Sequence, residues 1–190
     1  MARSRRWVGV CLAALVVLAA ASFGRARSQE QAEVSLREVG PEVVLYTLHR
    51  GPYQGVGPAI GKLFALVGQK GLMPAGNITF VYLNSPELIS DEHYLTEIRV
   101  PVGEKALQMA GTLGEFTDVK RMPAMKLAVI HKPVGVEDPA GMRQRLYGWL
   151  SQNGYRAVDT CQETFLSHGG ASYADMESEI AVPVAKTAAE

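Results

Sequence analysis

The pattern of apolar and polar positions predicts strands and helices in a fixed order in the first part of the folded chain. Short runs rich in β-branched and aromatic residues, bounded by Gly and Pro, are typical of strands. Such runs predict strands at residues 34–39, 43–49, 78–83 and 94–102. Between the second and third strands, apolar residues at helical spacing follow Pro58 and predict one amphipathic helix. They are Ile60, Leu63, Phe64 and Val67.

The second part of the chain repeats this order. Strands are predicted at residues 116–122, 126–131, 161–166 and 177–184. Asp138-Pro139 is typical of a helix start, with an acceptor at the N-cap followed by proline. The apolar stripe of this helix is Met142, Leu146, Trp149 and Leu150. Each part is therefore predicted to be a β-β-α-β-β unit.

The two parts match in residues as well as in order. TEIRVPV at 96–102 corresponds to SEIAVPV at 178–184, an offset of 82 (178 − 96). LFALV at 63–67 corresponds to LYGWL at 146–150, an offset of 83 (146 − 63), and His49 is matched with His131. We interpret this as an internal duplication within one domain, residues 28–185. Its halves are 33–103 and 115–185, and residues 186–190 form a tail.

Hairpin-like strand pairs with one helix per half predict an α+β fold with a largely antiparallel sheet. We expect both helices on one face of the sheet and a ligand groove on the other face. Two related halves side by side would form that groove, because small-molecule sites tend to lie between structural units.

Glu163 is the residue at which the matched halves diverge, since the corresponding position in the first half is Phe80. Side chains alternate along a strand, so Glu163 shares a face with Phe165, and Phe80 shares a face with Tyr82. We expect these four side chains to line the groove. A carboxylate among aromatic rings can serve as a counter-charge for a cation or as an acid. The alternative is a solvated Glu163 on an exposed face.

The amino terminus has the pattern of an export signal. Residues 1–27 carry five basic and no acidic residues, and an apolar run from Val8 to Ala21 precedes Ser22. This predicts a signal peptide cleaved after small residues, hence a periplasmic or extracellular protein. An uncleaved membrane anchor is the alternative, because Trp7–Gly24 is 18 residues long, about the minimum for a membrane span.

The charge of the remaining chain argues against nucleic-acid binding. Residues 28–190 contain 14 basic and 19 acidic residues, a net charge of −5 (14 − 19). Nucleic-acid affinity depends on neutralising phosphates, which an acidic surface does not do. Of the two cysteines, Cys11 lies in the apolar run, so Cys161 has no disulfide partner after cleavage. No metal-ligand spacing occurs, and we expect no cofactor.

Several segments together resemble the GyrI-like small-molecule-binding domain. They are HRGPY at 49–53, VYLNSPE at 81–87, the repeated E-I-x-V-P-V ending and the acid in the second-half strand. This family includes stand-alone proteins and the effector-binding domains of multidrug regulators. We expect no DNA-reading domain of the kind that those regulators carry. The resemblance implies a cleft between duplicated halves, with Glu163 as the acid of the pocket.

The resemblance implies a small lipophilic ligand, cationic ones included, held by Glu163 and by aromatic residues. The predicted ligand-binding residues are Glu163, Phe165, Tyr82, Phe80, Tyr53 and Trp149. Trp149 also fits the core, because it lies on the apolar stripe of its helix. One alternative is a hydrolase of strained electrophiles with Glu163 as the catalytic residue. A second is a haem-binding or scaffold module of the related SOUL type, with His49 or His131 as the haem contact.

Overall fold

The protein combines a large antiparallel sheet with two α-helices, which confirms the predicted α+β class. The computed structural model describes residues 33–85, 88–167 and 172–187. The strands there are β1 (Val34–Val39), β2 (Glu42–Arg50), β3 (Thr79–Tyr82), β4 (Leu95–Val102), β5 (Thr117–Met122), β6 (Met125–Lys132), β7 (Tyr155–Ala157), β8 (Gln162–Phe165) and β9 (Ser178–Lys186). The helices are α1 (Val56–Gln69) and α2 (Ala140–Gln152). The predicted export signal, residues 1–27, lies outside the described residues.

Three features differ from the predicted elements. Strand β7, which pairs with β9, was not predicted, because three residues that include Arg156 give no strand pattern. Strand β9 extends to Lys186, into the predicted tail. Short 3-10 helices at Tyr53–Gly55 and Tyr173–Asp175 follow β2 and precede β9. In the described part of the chain, no helix is long and apolar enough to cross a membrane.

The strand order is β1-β6-β9-β8-β3-β4-β2-β5, with every neighbouring pair antiparallel. The two predicted halves meet at the central pair, β3 with β8. The first strand of each half pairs with the second strand of the other half, β1 with β6 and β5 with β2. If each strand is replaced by its counterpart in the other half, the same order is obtained, read from the opposite edge of the sheet. The duplication itself stays a prediction.

The strand register corrects one detail of the predicted correspondence. His49 pairs with Thr96, and Lys132 pairs with Ser178, the residue that the sequence match places opposite Thr96. Lys132 therefore occupies the position of His49, an offset of 83 (132 − 49). A shift of one residue moves a side chain to the other face of a sheet. His131 lies on that other face, where its Nε2 is 3.2 Å from Glu177.

Both helices cover the face of the sheet that carries Phe80 and Glu163. Leu63 of α1 belongs to the same buried cluster as Phe80. Leu146 of α2 packs in a second buried cluster with Ile180, which pairs directly with Glu163. The expectation of a groove on the face opposite the helices is thus wrong, because alternation separates two faces without showing which one the helices cover.

The opposite face carries a network of ion pairs. Oε1 of Glu97 accepts hydrogen bonds from Nε of Arg99 at 2.5 Å and Nζ of Lys120 at 2.6 Å. Glu179 accepts two hydrogen bonds from Arg37, each of 2.6 Å. Lys120 lies on β5 of the second half and pairs with Glu97 of the first half. Arg37 lies on β1 of the first half and pairs with Glu179 of the second half. The network therefore ties the halves together on this face.

Candidate ligand-binding groove

Glu163 lies in the centre of the sheet, on the strand where the halves meet. It pairs with Phe80 of β3 on one side and Ile180 of β9 on the other. Its side chain faces the helices, and the residue is 1% exposed. A carboxylate this deeply buried is stable only if its oxygens receive hydrogen bonds or an opposite charge.

Three hydroxyl groups donate hydrogen bonds to the Glu163 carboxylate. Tyr82 donates to Oε2 at 2.6 Å. Tyr173 donates to Oε1 at 2.7 Å, and Ser178 donates to the same oxygen at 2.5 Å. Short bonds of this kind are expected when the acceptor is ionised. The sheet supplies Tyr82 and Ser178, and the 3-10 helix before β9 supplies Tyr173.

The two phenols remain protonated over the ordinary pH range. Burial raises the pKa of Tyr82 well above its usual value, and the negative charge of Glu163 raises it further. Burial also raises the pKa of Tyr173, again with Glu163 as the second cause. Because each phenol proton is committed to the carboxylate, the phenol oxygens are left as acceptors for a further donor.

Lys132 provides a positive charge close to this cluster. The residue is 0% exposed, and its Nζ donates to the carbonyl oxygens of Met176 at 2.6 Å and Tyr173 at 3.3 Å. The ammonium also lies 4.4 Å from the centre of the Tyr173 ring. Burial lowers the pKa of Lys132, and Glu163 opposes that decrease. Lys132 thus holds the segment that carries Tyr173 and partly balances the Glu163 charge.

A groove of about 800 Å³ opens above Tyr82 and Tyr173. Its walls come from the 3-10 helix after β2, from β3, from the first turns of α2 and from the segment around β8. The lining residues are Tyr53, Gln54, Phe80, Tyr82, Leu83, Asn84, Ser85, Glu137, Asp138, Pro139, Arg143, Gln144, Tyr147, Thr160, Cys161, Phe165 and Tyr173. Its size falls in the range of drug-sized ligand pockets, and its walls are mainly apolar and aromatic.

Aromatic rings in contact with one another form one side of the groove. Tyr53 meets Tyr82 edge-on at 5.5 Å between ring centres and lies 5.0 Å from Tyr94. Phe80 meets Phe165 edge-on at 4.8 Å. These distances are typical of favourable aromatic pairs. Burial raises the pKa of Tyr53 to about 12, so this wall is uncharged.

The structure brings five of the six predicted ligand-binding residues together, but not all in the predicted role. Tyr53, Tyr82, Phe80 and Phe165 line the groove. Glu163 lies beneath the floor, covered by the tyrosines that donate to it.

Trp149 is not in the groove, which corrects its predicted position. It stacks on Tyr155 of β7 at 5.8 Å and packs against the second buried cluster, because its position on α2 faces the sheet.

Among the residues that sequence reasoning missed, four carry the polar groups of the site: Tyr173, Ser178, Lys132 and Arg143. Tyr173 and Ser178 follow a Gly-rich connection, and nothing in their spacing indicates that they return to Glu163. Lys132 was missed because His49 was matched with His131, which leaves Lys132 without a counterpart at that position. Arg143 had a usable signal, because the helix offset of 83 pairs it with the apolar Ile60 (143 − 83).

Within residues 33–85, 88–167 and 172–187, the other chemistry-bearing side chains include a buried thiol and two separated histidines. Burial raises the pKa of Cys161 to about 12, which keeps its thiol protonated and weakly nucleophilic. Among the described residues, no group of three or more His, Cys, Asp or Glu could hold a metal ion. Nε2 of His49 lies 3.2 Å from the carbonyl oxygen of Pro52 in the turn, and His131 faces the other side of the sheet. The two histidines therefore lie on opposite faces of the sheet.

An antiparallel sheet whose two helices leave an aromatic groove above its centre defines a small-molecule-binding type of α+β domain. Residues 32–185 match the GyrI-like small molecule binding domain. The chain belongs to the GyrI-like family. No curated protein sequence shows significant similarity to it.

Solved structures with the same fold include EcmrR and a hydrolase. The EcmrR C-terminal domain aligns with a TM-score of 0.66 at 17% identity, over 82% of this chain and 98% of that one. EcmrR in its complex with DNA aligns with a TM-score of 0.67 at 17% identity, and this chain spans 58% of its length. A hydrolase from Listeria innocua aligns with a TM-score of 0.61 at 10% identity, over 81% of this chain and 92% of that one. At these identities the likeness establishes the fold alone.

Proposed function

We propose that the protein is an exported small-molecule-binding protein that holds amphipathic ligands in the groove above Tyr82 and Tyr173. The single observation that carries this is the buried Glu163 carboxylate, whose hydroxyl partners form the polar floor of an otherwise aromatic groove. Apolar parts of a ligand would pack on Tyr53, Phe80 and Phe165. A ligand donor, from a hydroxyl, amine or ammonium group, would meet the phenol oxygens.

Glu163 acts in this proposal through the tyrosines. An ionised carboxylate orients both phenol protons toward itself and makes the phenol oxygens stronger acceptors. In Glu163→Gln the side-chain amide offers two donors and one acceptor oxygen in place of two acceptor oxygens, so one phenol must turn its proton elsewhere. We therefore expect ligand affinity to fall even though the ligand does not touch residue 163.

A thermal-shift screen of the full chain against amphipathic aromatic compounds of each charge tests this proposal. We expect some compounds to raise the melting temperature of the wild type, with a smaller shift in Glu163→Gln at the same concentration. Trp149→Phe is the control, because residue 149 lies outside the groove, and its shift should equal that of the wild type. A screen without stabilising compounds, or equal shifts in wild type and Glu163→Gln, would contradict the proposed site.

Export rests on the basic and apolar pattern of residues 1–27. Amino-terminal sequencing of the protein recovered from expressing cells is the test. A chain that begins near Ser22 supports cleavage, whereas an intact amino terminus in the membrane fraction supports an anchor. An intact chain in the cytosol would contradict both.

Hydrolysis of strained electrophilic compounds is a second candidate, favoured by the phenol–carboxylate pairs at the floor. Water would attack the electrophilic carbon and pass a proton to a phenol oxygen, while that phenol passes its own proton to Glu163. The strained bond to that carbon breaks, and the departing atom takes up the proton that Glu163 received, so that Glu163 returns to its starting state and one water is added overall. Product formation that continues undiminished in Glu163→Gln and Tyr173→Phe would exclude this mechanism.

A further inference from the structure

Lys132 lies behind the floor of the groove, on the ring of a tyrosine that donates to Glu163. The lysine is 0% exposed. Its Nζ lies 4.4 Å from the centre of the Tyr173 ring, and the hydroxyl of the same ring donates to Oε1 of Glu163 at 2.7 Å. One tyrosine ring therefore separates a buried ammonium group from a buried carboxylate.

The contacts of Lys132 match the donors of a protonated amine. Nζ donates to the carbonyl oxygens of Met176 at 2.6 Å and Tyr173 at 3.3 Å, and the face of the Tyr173 ring is a third contact. An ammonium group has three N–H donors, and a buried one is stable when these are satisfied and an opposite charge lies nearby. Lys132 is thus held as a cation beside the Glu163 charge.

The cation and the carboxylate belong to the same half of the sheet. Strands β6 and β8, which carry Lys132 and Glu163, lie on either side of β9. The matched positions of the first half are His49 and Phe80, and neither a lysine nor a carboxylate occurs there. The second half therefore supplies both charges of the floor.

The other charged residues of the groove lining are Glu137, Asp138 and Arg143, on the side formed by the start of α2. The two acids are exposed, and Oδ1 of Asp138 accepts from the N–H of Ala140 at 2.8 Å. Charges in contact with water are screened much more strongly than buried ones. A ligand donor that reaches the phenol oxygens of the floor therefore meets the field of Glu163 and Lys132 together.

We propose that Lys132 supplies the positive charge that would otherwise come from a cationic ligand, so that the groove selects ligands with an uncharged donor, such as a hydroxyl group. This inference rests on the proposed function of the groove and adds the charge of its ligand. An ammonium group at the phenol oxygens would lose its hydration next to a carboxylate whose charge is already balanced. It would also be repelled by Lys132 across the Tyr173 ring. A hydroxyl group can donate to the same oxygens without either cost.

Naphthylmethanol and naphthylmethylammonium test the inference, because they share one apolar body and differ in the charge of the donor. Their dissociation constants for the full chain can be measured by isothermal titration calorimetry at neutral pH. We expect wild type to bind naphthylmethanol about tenfold more tightly than the ammonium compound. Lys132→Gln removes the charge but keeps an N–H donor for the carbonyl oxygens, so this preference should disappear or reverse.

Two further variants separate the charge of Lys132 from its structural contacts. Lys126→Gln makes the same change six positions earlier on β6 (132 − 126), at an exposed pair with Glu38, and should keep the wild-type preference. Glu163→Gln removes the opposite charge and leaves Lys132 unbalanced, so the preference for naphthylmethanol should increase. This variant tests the inference from the other side, even where Lys132→Gln does not fold.

Equal or tighter binding of the ammonium compound by wild type would overturn this inference and leave the proposed function intact. Equal weakening of both compounds by Lys132→Gln, with the preference unchanged, would do the same and would make Lys132 a structural residue alone. Failure of naphthylmethanol to bind wild type would also overturn the inference. It would overturn the proposed function itself only if the thermal-shift screen finds no stabilising compound.

Discussion

The two halves of the sheet have the same strand order, but the side chains beneath their helices differ in chemical character. Phe80 in β3 and Glu163 in β8 occupy matched positions and pair with each other. Two further positions differ in the same sense: His49 is matched by Lys132 and Ile60 by Arg143. The first half thus supplies an apolar wall, and the second half supplies the charges. The groove is lined by residues of α2 and by none of α1, so the polar half determines where it lies.

The difference extends to the hydroxyl groups at one matched pair of positions. Ser178 donates to Glu163 at 2.5 Å. Thr96, at the corresponding position of β4, is 0% exposed, and its hydroxyl has no hydrogen-bond partner among the described residues. The same kind of side chain is therefore part of a network in one half and unsatisfied in the other, because Phe80 offers no acceptor where Glu163 offers two.

The largest effect is expected from Lys132→Met, which makes the second half resemble the first by removing its buried cation. The change leaves the carbonyl oxygens of Tyr173 and Met176 without their donor and Glu163 without its nearby positive charge. We expect the free energy of unfolding to fall by roughly 2–4 kcal/mol, measured by urea denaturation. Lys126→Met, at an exposed pair with Glu38, is the control and should leave the free energy of unfolding nearly unchanged. Equal losses in the two variants would show that Lys132 has no special role.

A smaller but more diagnostic effect is expected from the pair Ser178→Ala and Thr96→Val. Ser178→Ala removes a donor from a buried carboxylate and should cost about 1.5–3 kcal/mol. Thr96→Val replaces an unsatisfied buried hydroxyl by a methyl group, so its free energy of unfolding should be unchanged or higher. Urea denaturation of both variants compares the halves directly. A loss for Thr96→Val as large as that for Ser178→Ala would mean that the polarity of the halves is not different at this position.

The smallest effect is a pH dependence that belongs to the phenols on Glu163. The pKa values of Tyr82 and Tyr173 are raised in the folded state from 10.0, so their stabilisation is complete below pH 10 and is lost as pH rises toward the folded pKa. The free energy of unfolding should therefore fall between about pH 10 and 11. Tyr82→Phe and Tyr173→Phe should each reduce that slope by up to about 1.4 kcal/mol per pH unit. An unchanged slope in both variants would separate the phenols from the Glu163 charge.

Most elements of the fold could be predicted from the sequence, because their patterns are local. The helical spacing from Ile60 to Val67 and the apolar runs of the long strands depend only on neighbouring residues. The divergence of the two halves at Glu163 and Phe80 could also be found, because it needs only the match between their sequences. The face that the helices cover could not be predicted, since it depends on how distant segments close over the sheet.

The polar floor of the groove could not be predicted from the sequence either, because it also depends on contacts between distant segments. Tyr173 reaches Glu163 through a 3-10 helix that is held by Lys132, and each of these contacts joins segments with no shared pattern. The residue identity of Lys132 was visible, but its face was not. His49 and His131 were matched because they are the same residue type. The strand register instead places Lys132 at the position of His49.

We expect that neither half folds on its own, because β1 pairs with a strand of the second half and β5 with a strand of the first half. A half produced alone would expose the backbone of β2 or β6 along an unpaired edge, which favours association with a second copy. In the intact chain β1 and β5 both require closure of long loops, so folding is expected to be slow and cooperative. The groove exists only after that assembly, since its floor is the β3–β8 junction. A bound ligand would therefore stabilise the whole domain against unfolding, rather than one half of it.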